Sequence, residues 1–328
     1  EVLIPEDVQS WISVIPESKA LEQRSMKLKI EANTGYGRKA TIIVQSQNGT
    51  LKLEYLVEQN GDMGIEVDPT KVPYNEIWYR TMDGKVIDVP SSYPMFDVPI
   101  VSNTYENGLG RIVCGNNITR ILQNAFVYHG NNLCELYLPD SVETLEEYSL
   151  MGIRNVSKLY IPRNLKNIDS FAMLWGGHRL EDVYGNHVTE DHRCVVIDGC
   201  LHGFAPYGLE EYVIPEGITE ISSFAFVSNE NLKSITFPDG LQKIGSGVFE
   251  GCINLNCDIY IPSSVTDIGQ NVFSNCHNIT GFYGPSPFVS KDNKYLLNNN
   301  YIIAFAGKGL DSYIIPDGIK GIDAGAMA

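Results

Sequence analysis

The densest group of side chains able to do chemistry lies between residues 187 and 202: His187, Glu190, Asp191, His192, Cys194, Cys200 and His202. Zinc accepts imidazole and thiolate ligands at such spacings, so a metal is the first chemistry to weigh here. Nucleophiles are a poorer prospect. Ser222-Ser-Phe and Ser246-Gly-Val lack the GxSxG context that exposes a catalytic serine, and no P-loop or GxGxxG run occurs. Asp140, Glu216 and Asp239 each directly follow a proline, where short polar side chains serve turn geometry. Neither an enzyme nor a cofactor is expected.

What positions the 187–202 group is a repeat. An aliphatic-Pro dipeptide recurs at Pro139, Pro162, Pro215, Pro238, Pro262 and Pro316, with steps of 23, 53, 23, 24 and 54 residues. Around these prolines one pattern returns: YVIPEGITEISSFAF from Tyr212, ITFPDGLQKIGSGVF from Ile235, IYIPSSVTDIGQNVF from Ile259 and YIIPDGIKGIDAGAM from Tyr313. An earlier copy, IVCGNNITRILQNAF from Ile112, carries Gly115 at the Pro position. The long steps hold a second motif. Residues 289–315 fall on 188–214 when shifted by 101, placing Val289 on Val188, Asp292 on Asp191 and Phe305 on Phe204.

That internal copy is a control on the metal reading. The partners of His192, Cys194, Cys200 and His202 are Asn293, Tyr295, Tyr301 and Ile303. Positions that exchange with Tyr and Ile fill a hairpin rather than a coordination shell, so no metal is expected. The seven cysteines are odd in number and irregular in spacing, which gives no disulfide framework and reads as small core residues.

A period of 23–24 falls within the 20–29 residues of leucine-rich repeats. Each copy has apolar residues such as Leu232, Ile235 and Phe237, whose last two alternate as in a strand, and the following Pro ends it. A second aliphatic pair follows, such as Ile218 with Ile221 or Val265 with Ile268. Then comes a large residue: Phe126, Leu150, Met173, Phe226, Phe249, Phe273 or Met327. One copy cannot bury these groups alone, so stacking must do it. The IPxxVxxIxxxAFxxCxxL style resembles the BspA-like leucine-rich repeats of bacterial surface proteins. Cys252 and Cys276 fall on that pattern's Cys position, where other copies hold His129 or Asn229, which speaks against a redox role.

Residues 1–61 have strand-like alternation in LKLEYLVEQNG and RKATIIVQSQ, with turns at Asn33-Thr-Gly and Gln47-Asn-Gly. Trp11, Asn33, Arg38, Ala40, Ile42 and Gln59 carry a resemblance to the BACON domain, a small β-sandwich. The resemblance implies opening strands before Glu1, and with them secretion and an association with carbohydrate. In NEIWYRTMDGKVIDV a hairpin turning at Asp83-Gly84 is expected, closing the first open end of the solenoid. Trp11 and Trp78 read as packing residues, and Trp175 sits on a turn in LWGGHRL. The expected fold is thus mainly β with short helical turns. A partial N-terminal β-sandwich (1–61) leads through a connecting hairpin and solenoid N-cap (62–106) to a right-handed leucine-rich-repeat solenoid (107–328).

The formal charge of −16, from 24 basic and 40 acidic residues, disfavours nucleic acid and a polybasic membrane-surface mode. No run of 18 apolar residues spans a membrane, and residues 1–20 lack the basic start and apolar run of a signal peptide. The chain is therefore read as a mature or trimmed form, and its oligomeric state is left open. Along the expected strand ladder, one outward position carries Val113, Tyr137, Tyr160, Tyr184, Val213, Thr236, Tyr260, Tyr283 and Ile314. Five of nine are Tyr, against 18 of 328 overall. Tyr137, Tyr160, Tyr184, Tyr260 and Tyr283 are candidate ligand-binding residues, because Tyr offers area and a hydroxyl with few torsions to freeze. The same column equally suits parallel strands that favour aromatic neighbours in register.

These readings point to non-catalytic binding or adhesion at a bacterial surface, with an extracellular protein or glycan as partner. The alternative is a glycan-binding accessory of a polysaccharide-uptake system, its BACON-like part acting as spacer or weak binder. The control argument is tested by melting the purified protein with and without a strong chelator. Equal melting temperatures are expected; stoichiometric zinc, lost together with stability on chelation, would overturn it.

Overall fold

The computed structural model describes residues 2–5, 9, 12–14, 28–30, 38–45, 52–59, 67–128, 132–169, 171–173 and 179–327. The chain divides into two units: residues 1–67 with 82–85 and 105–109, and residues 68–81 with 86–104 and 110–328. Trp11, Asn33, His129 and Trp175 lie outside the described residues, as do the turns at Asn33-Thr-Gly and Gln47-Asn-Gly.

In the first unit β1 (Val2–Leu3) pairs antiparallel with β4 (Arg38–Gln45), which pairs along its whole length with β5 (Lys52–Gln59). A separate pair joins β2 (Ile12–Val14) to β3 (Leu28–Ile30). Ile12 and Ile42 are the buried centre, with Ile4, Leu28 and Val57 packed around them.

The second unit is a β-solenoid with two ladders. After β6 (Glu76–Thr81), β7 (Ile100–Glu106) and β8 (Leu109–Cys114), the coils begin with β9 (Arg120–Ile121), β10 (Leu133–Tyr137), β11 (Thr144–Leu145), β12 (Lys158–Tyr160), β13 (Asn167–Ile168) and β14 (Asp182–Tyr184). A hairpin, β15 (Cys194–Ile197) and β16 (Cys200–Phe204), interrupts them. The coils resume with β17 (Glu211–Val213), β18 (Glu220–Ile221), β19 (Ser234–Thr236), β20 (Lys243–Ile244), β21 (Asp258–Tyr260), β22 (Asp267–Ile268) and β23 (Gly281–Tyr283). A second hairpin, β24 (Tyr295–Asn298) and β25 (Tyr301–Phe305), leads to β26 (Gly321–Ile322).

Strands β10, β12 and β14 run parallel in strict register, and β17–β19 and β21–β23 form the later pairs of that ladder. Their central residues, from Leu136 and Leu159 to Ile259 and Phe282, point inward and are buried. The second ladder stacks β9, β11 and β13, then β16, β18, β20 and β22. The large residue closing each coil forms an axial aromatic column: Phe204–Phe226, Phe226–Phe249 and Phe249–Phe273 have ring centroids 4.5, 5.1 and 5.3 Å apart.

The fold is mainly β as expected, with turns between the ladders and a 3-10 turn at Pro69–Lys71. Two expectations change. Of the expected hairpin after Asn75, the first arm alone is a strand; β6 enters the solenoid sheet between β8 and β10, antiparallel to both. Tyr79 of that strand is fully buried, in space left by Gly110, where an added Cβ would lie 2.3 Å from the ring. Residues 313–315, expected to be a further rung, form no strand.

Each coil turns on a left-handed residue after its second-ladder strand: Asn124, Tyr148, Phe171, Phe224, Gly247, Asn271 or Gly325. Asn and Gly suit this conformation, whereas a bulky side chain there costs roughly 1–2 kcal/mol.

Phe249 is fully buried and contacts the rings of Phe226, Phe237 and Phe273. Phe249→Ala should cost about 3–5 kcal/mol in a denaturant melt; a loss below about 1 kcal/mol would mean that the stacking register is wrong.

Candidate binding face

The outward positions of the first ladder differ from one end to the other. Because β6 stands between β8 and β10, Tyr137 faces Trp78, and Trp78 faces Arg111 across the next pair. Val113 is therefore not the neighbour of Tyr137. The row on four adjacent strands is Trp78, Tyr137, Tyr160 and Tyr184. The Arg111 guanidinium lies 5.3 Å from the Trp78 ring centre, within cation–π range. Sequence reasoning left Trp78 out of this row. The alternation in NEIWYR placed it on a strand, but nothing local named the strand's partners.

The hydroxyls of this row are turned to the chain itself. Tyr137 donates to Glu135 Oε2 at 2.5 Å, and Glu135 is paired with Arg80 Nε at 2.7 Å, both of these ionised groups being buried. Tyr184 donates to Asp182 Oδ2 at 3.2 Å, and its ring lies against His192. Tyr160 is only 5% exposed and donates to Asp140 Oδ1 at 3.3 Å. Arg163 holds the same carboxylate through its backbone N–H (2.9 Å) and Nε (2.7 Å).

The pKa directions follow. Burial first, then the neighbouring carboxylate, pushes Tyr137, Tyr160 and Tyr184 above the usual phenol value. For Asp140, burial works against ionisation but the Arg163 hydrogen bonds outweigh it and hold the carboxyl below its usual value. Tyr160, read from the sequence as an outward position, is thus enclosed, and its hydroxyl is tied to Asp140.

The other end of the ladder is open. Val213 is 67% exposed, Tyr260 50% and Tyr283 40%, and Thr236 lies exposed among them. Val213 pairs with Thr236, Tyr260 pairs with Tyr283, and β19 lies beside β21. Glu211 and Asp258 are exposed at the start of these strands. Ile314, 90% exposed, stands beyond them in sequence.

The residues first weighed for metal are engaged in the hairpin and its neighbours. His192 Nδ1 lies 3.2 Å from Val183 O, and Asp191 accepts from Thr189, the Arg193 N–H and Tyr212. The Cys194 thiol lies 3.1 Å from Tyr212 Oη, and burial pushes its pKa up to about 12. Cys200 and His202 both reach Ser222 Oγ. Among the described residues, no three His, Cys, Asp or Glu side chains gather as a metal site. No helix there is long and apolar enough to cross a membrane.

Two ladders of short parallel strands joined by turns, with an axial column of large residues, define a leucine-rich-repeat β-solenoid. The family model for the BspA type leucine rich repeat region matches residues 98–184 and 202–328 in 6 copies, and the chain belongs to that family. No curated protein gives a significant match.

Solved structures to which this chain shows similarity include a leucine-rich repeat protein from Eubacterium ventriosum (22% identity, 46% of this chain and 41% of that one, TM-score 0.35). A leucine rich cell surface protein from Faecalibacterium prausnitzii shows 19% identity over 72% of this chain and 64% of that one, with TM-score 0.42. The pneumococcal vaccine antigen PcpA shows 19% identity over 64% and 61%, with TM-score 0.39. The chain thus spans less than two thirds of the length of each.

Glu135→Ala would remove the carboxylate that the buried Arg80 Nε meets at 2.7 Å. Thermal and denaturant melts should show a loss of about 3–5 kcal/mol, far above that of an exposed ion pair such as Lys166–Glu143.

Proposed function

We propose that this chain is a non-catalytic binding or adhesion protein displayed outside a bacterial cell, and that it meets a protein ligand with the open end of the first ladder. The observation that carries the reading is the exposed stripe Val213, Thr236, Tyr260 and Tyr283. Side chains that the fold does not need to bury stand there on neighbouring strands, and contiguous exposed apolar surface marks interaction sites. Tyr combines area, a hydroxyl and little torsional entropy to lose, which favours it at such contacts. Glu211 and Asp258 beside the stripe favour a partner that is neutral or locally basic.

The reading narrows the candidate residues. Tyr260 and Tyr283 are the binding pair, while Tyr137, Tyr160 and Tyr184 act mainly in holding the first coils together. The surface location rests on the BspA-type repeats and on the BACON-like pattern of the first 61 residues, whose resemblance implies secretion. The adhesive reading is preferred to the glycan-uptake reading because the stripe mixes exposed aliphatic and aromatic side chains.

The test is the purified chain on an extracellular-matrix protein panel and a glycan array side by side. A protein ligand is expected. Tyr260→Ser with Tyr283→Ser should weaken it at least tenfold, about 1.4 kcal/mol, with little change in melting temperature. Undiminished binding by the double variant, or ligands on the glycan array alone, would overturn the proposal.

A further inference from the structure

The second ladder is broken where the first hairpin enters. Strand β13 ends one run, and β15–β16–β18 begins the next, with no pairing between β13 and β15 among the described residues. The gap is a cavity of about 190 Å³ lined by Asp169, Phe171, His202, Glu220, Ser222 and Phe224 among others. We propose that this junction pocket binds one neutral sugar ring, a site separate from the strand face and independent of its function.

The fold itself does not require these residues, because the chain builds the same junction twice. Hairpin strand β25 pairs with β26 in the register that β16 keeps with β18: Tyr301 faces Gly321 and Ile302 faces Ile322, as Cys200 faces Glu220 and Leu201 faces Ile221. At the second junction the positions of Asp169, Phe171, His202, Glu220 and Phe224 hold Gly269, Asn271, Ile303, Gly321 and Gly325. At these five positions the rings and ionisable groups belong to the first junction, while the second carries Tyr301 and Asp323 at the positions of Cys200 and Ser222.

They are also held against backbone preference. Phe171 and Phe224 have φ of 61° and 64°, where the second junction uses Asn and Gly. A left-handed bulky residue is an outlier, and such outliers persist where the surroundings or a function demand them. The two rings meet at 4.9 Å, and Tyr148 stacks on Phe171 at 5.2 Å, so an apolar wall stands beside the polar one.

The polar wall selects the ligand class. Glu220 is matched by Lys243 at 2.7 Å, and Asp169 is an acceptor whose carboxylate takes no hydrogen bond from the described residues. His202 Nδ1 lies 3.1 Å from Ser222 Oγ, and burial pushes the imidazole below its usual value. Asp169 opposes an anion and Lys243 opposes a cation. The Asp169 carboxylate and the serine hydroxyls, lining one pocket with the rings of Phe171 and Phe224, suit a neutral polyol with an apolar face. The volume lies below the roughly 300–1,000 Å³ of pockets for drug-sized ligands, which limits the occupant to one small ring.

Methyl glycosides of glucose, galactose, mannose and N-acetylglucosamine, titrated into the chain by calorimetry and saturation-transfer NMR, form the test. A mucin-type O-glycan added in parallel separates a free sugar from the end of a glycan. At least one of these probes should bind. Asp169→Asn should weaken it at least tenfold. Phe171→Asn, which installs the residue of the second junction and suits the left-handed backbone, should lose binding while keeping the fold. Tyr260→Ser with Tyr283→Ser should leave it unchanged, so failure of the strand-face reading is seen separately. The proposal is overturned if no probe binds at millimolar concentration, or if binding survives both pocket substitutions.

Discussion

No coil of this protein can bury its own large side chain, and the structure follows from that constraint. Phe226, Phe249 and Phe273 are each covered by the ring one coil away. At roughly 1.5–3 kcal/mol per buried large side chain, the coils stabilise one another rather than themselves. The strands are too short to be stable alone, two or three residues in most rungs. Register between coils is therefore the quantity that every other feature serves, and backbone hydrogen bonds from one coil to the next lock it.

Polar groups are used in the same way. Asp140 binds the backbone and guanidinium of Arg163 one coil on, and Asn164 Nδ2 returns a hydrogen bond to Asp140 O. Ser264 Oγ donates to Leu241 O, and the thiols of Cys252 and Cys276 donate to Phe226 O and Phe249 O. These cysteines are buried polar fillers of a coil turn. Asn229 at the same repeat position does that work with its amide oxygen, accepting from Asn231 and Leu232.

The two proposed sites fall on different parts of the repeat. On the first ladder, the arrival of β6 draws Tyr137 to the Glu135–Arg80 pair, Asp140 and Asp182 hold the hydroxyls of Tyr160 and Tyr184, and Tyr260 and Tyr283 stay exposed. On the second ladder, the inserted hairpin opens a gap that a regular solenoid lacks. The pocket is a departure from the repeat set by the inserted hairpin, whereas the exposed stripe lies on regular rungs.

The sequence by itself determined the solenoid. Spacing of the aliphatic-Pro dipeptides, inward alternation of residues such as Ile235 and Ile259, and the large residue closing each coil are local and periodic, so they survive without coordinates. The internal 101-residue shift likewise exposed the hairpin and argued against reading His192 and Cys194 as metal ligands. Tertiary structure alone decided which tyrosines are open. Whether Tyr160 meets solvent depends on Asp140, twenty residues away, and whether Tyr137 neighbours Val113 depends on a strand from residues 76–81 that no periodicity links to it. The pocket was equally hidden, because Asp169 and Ser222 are brought together only when β16 takes the place of a coil. Short-range pattern fixes a rung; the partner of an edge is a long-range choice that depends on the whole chain's packing.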